Sequence, residues 1–106
     1  MKKTVLQLQK SIPNIRLFER HVGQFFTHNN RPIQINRKGM ADLYGLVAIN
    51  GSMHHIEIEI KTGTGRQTKE QKTWQAFIEK FSGLYVVGWT VEDIEQEVKR
   101  YIKERG

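Results

Sequence analysis

The sequence predicts an α/β domain, a mixed β-sheet flanked by helices in the order roughly α-β-β-β-α-β-α, spread over 106 residues. Three observations carry this prediction. The stretch HHIEIEIKTG at 54–63 alternates strictly, so Ile56, Ile58 and Ile60 share one face of a strand while Glu57, Glu59 and Lys61 share the other. Asn50-Gly51, the favoured pair for a two-residue type I′ turn, folds two apolar segments into a hairpin. The continuous apolar run LYVVGW at 84–89 reads as a buried parallel strand, and the strand–helix–strand unit from 55 to 89 implies a right-handed crossover.

The elements follow in chain order. Residues 1–12 read as either a short helix or an added edge strand. Pro13 suits the first turn of a helix running to about Thr27, with Ile15, Phe18, Val22, Phe25 and Phe26 as its apolar stripe. HNNRP at 28–32 is a turn or loop, and Ile33 with Ile35 suggests a short strand. After the Asn50-Gly51 hairpin and the loop TGTGRQ, Thr68 and Gln71 form the T-x-x-Q capping pattern of a helix that runs to about Ser82. Trp74, Phe77, Ile78 and Phe81 repeat on one face of that helix, and Gly83 stops it. TVED opens a last helix with Ile94, Val98, Tyr101 and Ile102 facing inward and a basic final turn.

Composition narrows the class. A chain with 38% hydrophobic and 26% charged residues suits one soluble domain with one core. No apolar run is long enough to span a bilayer, and the start MKKTVLQLQKS lacks the continuous apolar region of a signal peptide. There are no cysteines, which excludes disulfides and thiolate metal sites and makes a reducing cytoplasm the expected setting. The net charge of +6 is unevenly placed: residues 1–70 hold eleven Lys/Arg against five Asp/Glu, and residues 71–106 hold six of each. A one-sided basic surface suggests a polyanion such as nucleic acid, the plain alternative being charge for solubility.

The carboxylate row on the 54–63 strand asks for a partner. With a two-residue turn at Asn50-Gly51, Asp42 falls across from Glu59, Tyr44 from Glu57 and Met40 from Lys61. Like charges placed opposite each other destabilise a sheet, and a divalent cation between Asp42 and Glu59 would turn that repulsion into a ligand set. Hard oxygen donors favour Mg²⁺ or Mn²⁺ over zinc. The tripeptide E-x-K by itself carries nothing, because it occurs three times, and two of those lie on predicted helices. Only Glu59-Ile60-Lys61 sits on a strand whose hairpin partner delivers an aspartate to the same face.

Gly39-Met-Ala-Asp42 followed by Glu59-Ile-Lys61-Thr-Gly-x-Gly-Arg-Gln-x-x-x-Gln71-Lys-x-Trp74 resembles the PD-(D/E)xK nuclease core, and most closely its VRR-NUC branch, over roughly residues 15–95. The resemblance implies a restriction-endonuclease-like fold and metal-dependent hydrolysis of phosphodiester bonds in DNA. It implies that Asp42, Glu59 and the Ile60 carbonyl bind Mg²⁺, for which Mn²⁺ substitutes, with Glu19 on the first helix completing the set. Lys61 would orient the attacking water and stabilise developing negative charge, and Gln71 matches the glutamine of the following helix. Ala41 departs from the family's usual proline at a position that shapes the backbone. Stand-alone members of the family look virus-encoded or repair-associated, and some resemble Holliday-junction resolvases. The expected partners are therefore DNA, four-way junctions included, and a second copy of the chain in a two-fold homodimer. For a virus-encoded enzyme the setting is the host-cell cytoplasm.

Each residue also has a plainer reading. Asp42 could be a turn aspartate near Gly39, Glu59 and Lys61 an exposed ion pair, and Gln71 purely the end of a capping box. Glu57 reads as a surface salt bridge rather than a ligand. Glu19 falls on the Ile15–Val22–Phe26 stripe, where an acid needs a partner. His54 and His55 point to opposite faces and are not expected to ligate, and Trp74 reads as core. Arg37, Lys38, Arg66, Lys69 and Lys72 flank the site as candidate phosphate contacts, and Tyr44 as a candidate substrate contact. Gly63-Thr64-Gly65 lacks the spacing of a nucleotide-binding P-loop. The rival function is a nucleic-acid-binding module on the same fold that has lost catalysis, but its expected mark, a broken D…ExK set, is missing.

Overall fold

Four strands in the order β1-β4-β5-β6 form the central sheet, in a computed structural model that describes residues 2–20 and 39–106 and the backbone of 23–26 and 32–35. The elements run α1 (Lys2–Leu6), α2 (Leu8–Ser11), β1 (Ile15–Glu19), β2 (Gly23–Phe26), β3 (Pro32–Ile35), β4 (Leu43–Ile49), β5 (Ser52–Ile60), α3 (Lys69–Lys80), β6 (Leu84–Gly88) and α4 (Val91–Arg105). β1, β4 and β5 pair antiparallel, β6 joins β5 in parallel, and β2 with β3 forms a separate antiparallel ribbon. The sheet is therefore mixed and flanked by helices, as the sequence predicts.

The hairpin register is the expected one. Asn50 and Gly51 both have positive φ, at 51° and 79°, as a type I′ turn requires, and Ile49 pairs with Ser52. The ladder then sets Tyr44 opposite Glu57 and Leu43 opposite Ile58. Gly45 lies between β1 and β5 where no side chain fits, because a Cβ would stand 2.0 Å from the Arg16 carbonyl oxygen.

The expected helix over 13–27 is replaced by strand β1 and, further on, strand β2. Leu17 explains why. Ile15 and Leu17 are both buried while Arg16 and Phe18 are exposed, a period of two that the helical stripe did not use. Asn14, in the left-handed region at φ 63°, turns the chain into β1, and Gly23 opens β2. The helices preceding the sheet are instead α1 and α2, within the segment read as either helix or edge strand. The expected loop at 28–32 lies largely outside the described residues.

The two sheet faces differ in chemistry. On one, Leu17, Leu43, Val47, Ile56, Ile58 and Val86 pack against Val5, Leu8, Ile94, Val98 and Tyr101 from α1, α2 and α4. That face is the core. The other carries Tyr85 and Val87, which pack with Ala41 and with Trp74 and Ile78 of α3. α3 begins with the predicted capping box: the Thr68 hydroxyl accepts from the Gln71 N–H, and the Gln71 side chain accepts from the Thr68 N–H. This start pins the N-terminal turn of α3 over the polar end of β5.

Candidate active site

Alternation on β5 places Glu57, Glu59 and Lys61 beneath α3, and the row contains the buried acids of the domain: Glu57 is fully buried and Glu59 is 1% exposed. Burying a carboxylate is costly unless donors surround it. The two glutamates meet that cost very differently.

Glu57 is saturated. The Arg20 guanidinium grips both of its oxygens, Trp74 Nε1 donates to Oε1 at 2.9 Å, and His55 donates from Nε2 to Oε2. Burial alone would raise the carboxyl's pKa, but the hydrogen bonds from Arg20, Trp74 and His55, together with the Arg20 charge, outweigh it and hold the group below the ordinary value of 4.5. The expected surface salt bridge is thus a buried ion pair, because α3 and Arg20 close over the strand.

Glu59 is left short. Tyr85 donates its hydroxyl to Oε1 at 2.7 Å, and Gln67 Nε2 donates to the same oxygen at 3.2 Å. Burial and then the Glu59 carboxylate push the Tyr85 hydroxyl above the ordinary phenol range, so it stays a donor. Lys61 Nζ lies 3.2 Å from Oε2, within ion-pair reach but outside hydrogen-bond alignment. Oε2 is therefore buried with no hydrogen-bond donor, and among the described residues it is the buried side-chain atom in that condition. The lysine aims elsewhere: it donates to Gln71 Oε1 at 2.6 Å. Gln71 therefore caps α3 and holds Lys61 with one oxygen.

Asp42 sits just before β4, half-buried, on the parity of Tyr44. Its Oδ2 accepts the Ile60 N–H at 2.7 Å, so the carboxylate reaches across to the peptide that joins Glu59 to Ile60. A turn aspartate would have bonded near Gly39 instead. Gly39 has its own duty: at φ 93°, it presses against the Glu70 backbone, where a Cβ would stand 2.6 Å from the carbonyl oxygen. Asp42, Gln71 and Thr68 line a cleft of about 350 Å³ together with Lys2, Arg20, Gly39 and Met40.

Other sequence-predicted residues distribute unevenly. Glu19 does not join the set. It lies in register with Leu43, Ile58 and Val86, on the core side of the sheet, and its half-exposed carboxylate pairs with Lys2 of α1 at 3.3 Å. The expectation that it completes a metal site fails because residue 19 is on a strand, whose alternation turns it away from Asp42. Tyr44 is half-buried, stacked on Phe18 and covered by Arg20, 4.6 Å from the ring centre. Arg66, Lys69 and Lys72 are exposed around the N-terminus of α3, and Arg37 and Lys38 lie outside the described residues. His54 instead bonds the Tyr101 hydroxyl at 3.1 Å.

Sequence reasoning missed Arg20, Tyr85 and Gln67. Arg20 was hidden by the helical reading of its segment; strand alternation with Arg16 and Phe18 would have put it on the Asp42 face. Tyr85 was hidden inside an apolar run. Gln67 has no sequence signal beyond its place in a polar loop.

Comparison with family models, curated proteins and solved structures finds no match to this chain.

Among the described residues no three Asp, Glu or His side chains gather at metal-binding spacing. A divalent ion would therefore have at most two such side chains as ligands among them. The donor set fits that role in one respect that the structure makes concrete, the buried Glu59 Oε2 that no hydrogen bond satisfies. Asp42, which accepts the Ile60 N–H, supplies a second carboxylate, a hard oxygen donor of the kind Mg²⁺ and Mn²⁺ prefer. No helix among the described residues is long and apolar enough to cross a membrane.

Proposed function

We propose that the chain is a metal-dependent nuclease of the PD-(D/E)xK, VRR-NUC type that hydrolyses phosphodiester bonds in DNA. The observation that carries the reading is the buried Oε2 of Glu59, which has the Lys61 ion pair but no hydrogen bond, on the strand whose Ile60 N–H donates to the cleft residue Asp42. Glu59 Oε2 keeps only the Lys61 ion pair at 3.2 Å, whereas neighbouring Glu57 has hydrogen bonds on both oxygens and shows what a purely structural acid looks like in this fold.

Asp42, Glu59 and the Ile60 carbonyl would hold the ion. The chemistry a divalent cation supplies in such a set is polarisation of a phosphoryl oxygen and acidification of water. The chain's own residues do the rest. Tyr85 and Gln67 occupy Glu59 Oε1 and so would leave Oε2 for the ion. Gln71 holds the Lys61 ammonium beside that oxygen, where it orients the attacking water and offsets the charge that develops on phosphate. Lys2 in the cleft wall and the exposed Arg66, Lys69 and Lys72 offer phosphate contacts. Attack is direct, with no covalent enzyme intermediate.

The same reading makes the enzyme structure-selective for branched DNA, Holliday-junction-like substrates included, because no base-reading module is recognisable among the described residues. A two-fold homodimer would present two clefts to such a substrate. The test compares wild type with Lys61→Ala on labelled four-way-junction and linear duplex DNA, with Mg²⁺, Mn²⁺ or EDTA. Metal-dependent cleavage that disappears in Lys61→Ala is the expected result. DNA binding without cleavage or Mn²⁺ uptake would favour a binding module instead.

A further inference from the structure

Among the described residues the Asp42 side chain accepts one hydrogen bond, from the Ile60 N–H, yet its backbone is held from two directions by a single residue. The Arg20 N–H donates to the Asp42 carbonyl at 2.9 Å, and Arg20 Nη1 donates to the Ala41 carbonyl at 3.2 Å. The guanidinium that makes the second contact is fixed in turn. It is paired with Glu57, lies over the rings of Tyr44 and Trp74, and its side chain is only 8% exposed. We propose that Glu57 and Arg20 are positioning residues that set the Asp42 carboxylate against the Glu59–Ile60 peptide.

The proposal takes its chemistry from the nuclease reading and its contacts from geometry alone. Glu57 sits at the junction of two routes to the site. One passes through Arg20 to the Ala41–Asp42 backbone. The other passes through the Trp74 indole N–H into α3, whose first turn carries Gln71 and so the Lys61 ammonium. One buried carboxylate thereby ties β1, β5 and α3 to the same frame. The planar fork of arginine is needed because it must meet a carboxylate on one side and a peptide carbonyl on the other. A lysine's point charge reproduces only part of that arrangement.

The test uses the full chain, isotopically labelled, as wild type, Arg20→Lys, Glu57→Gln and Asp42→Ala, each first checked for cooperative unfolding. Two quantities are read: the amide proton resonance and exchange rate of Ile60, and Mn²⁺ affinity from a titration followed by electron paramagnetic resonance. Arg20→Lys and Glu57→Gln are expected to move the Ile60 amide part of the way toward its Asp42→Ala position. They are also expected to weaken Mn²⁺ binding by roughly 10–100-fold, the usual effect of removing outer partners of a ligand. Folded variants in which the Ile60 amide stays at its wild-type position overturn the proposal. If wild type takes up no Mn²⁺, the nuclease reading falls, and the Ile60 amide alone decides the positioning role. Should both variants fail to fold, Trp74→Phe removes one donor to Glu57 and leaves Arg20 in place. A smaller Ile60 shift is then expected, and none at all is again decisive against the network.

Discussion

Replacing Tyr85 by phenylalanine removes one oxygen atom from beneath α3 and isolates the energetics of the Glu59 site. The hydroxyl donates to Glu59 Oε1 at 2.7 Å, and both groups are buried. Without it Oε1 keeps only the 3.2 Å bond from Gln67, and Oε2 still has no hydrogen-bond donor. A hydrogen bond to a charged group contributes about 1.5–3 kcal/mol, and the removal leaves a buried acceptor poorly satisfied, so the loss should fall in that range. For a domain of this length it corresponds to a fall in melting temperature of roughly 6–24 °C. Urea unfolding measures the effect directly, as a lower midpoint at unchanged slope. A double-mutant cycle with Glu59→Gln should return a coupling of about 1 kcal/mol or more, because a neutral amide needs the tyrosine donor less. A Tyr85→Phe protein within about 0.5 kcal/mol of wild type, the size of an ordinary surface substitution, would refute the view that Glu59 is a carboxylate held short of donors.

Further outcomes follow from the same contacts. The folded-state pKa of Glu57 lies below its unfolded value of 4.5, so its ion pair contributes stability that is complete above that value and is lost as pH falls through the folded-state pKa. Urea midpoints measured from pH 7 down to pH 3 should therefore fall more steeply for wild type than for Glu57→Gln. Gln71→Ala should cost about 1 kcal/mol of stability through the lost bond from the Thr68 N–H and also reduce cleavage, whereas Gln71→Glu keeps the capping box and should unfold near the wild-type midpoint. Gly45→Ala would drive a Cβ to 2.0 Å from the Arg16 carbonyl oxygen. Its expected cost, by analogy with overpacked cores, is about 1–3 kcal/mol in thermal unfolding.

The parts of the fold that the sequence made legible were those where a local rule had no competitor. Asn50-Gly51 permits one turn type, and the register it imposes brings Tyr44 opposite Glu57 as expected. Thr68 and Gln71 mark the start of α3 within one residue. The segment after Pro13 failed because Ile15, Phe18 and Val22 satisfy a helical period while Ile15 and Leu17 satisfy a strand period. Pairing with β4, which no local pattern announces, decided between them. The site divides in the same way. Asp42, Glu59, Lys61 and Gln71 converge because one hairpin and one cap bring them together. Arg20 just after β1, Tyr85 on β6 and Trp74 further along α3 reach the buried carboxylates across long stretches of chain, and local spacing does not name such partners. The α3 stripe was also read too simply: Ile78 is buried, but Phe77 and Phe81 of the same stripe are exposed.

The Asn50-Gly51 turn lies at the far end of the hairpin from Asp42, with the seven residues of β4 between them, and so is roughly 27 Å away. It touches nothing in the cleft. Yet each strand has two faces and the turn decides which one meets α3, so parity set there is inherited by every position up to Lys61. Substitutions that keep positive φ at 50 and 51 should be silent for the site, and a loop lengthened outward leaves the pairing as it is. A single residue inserted within β5 is another matter. It would hand the isoleucines to the cleft and the glutamates to the core, erasing the site with none of its side chains replaced. Descendants of this chain can vary the tip of the ribbon freely, but not its count.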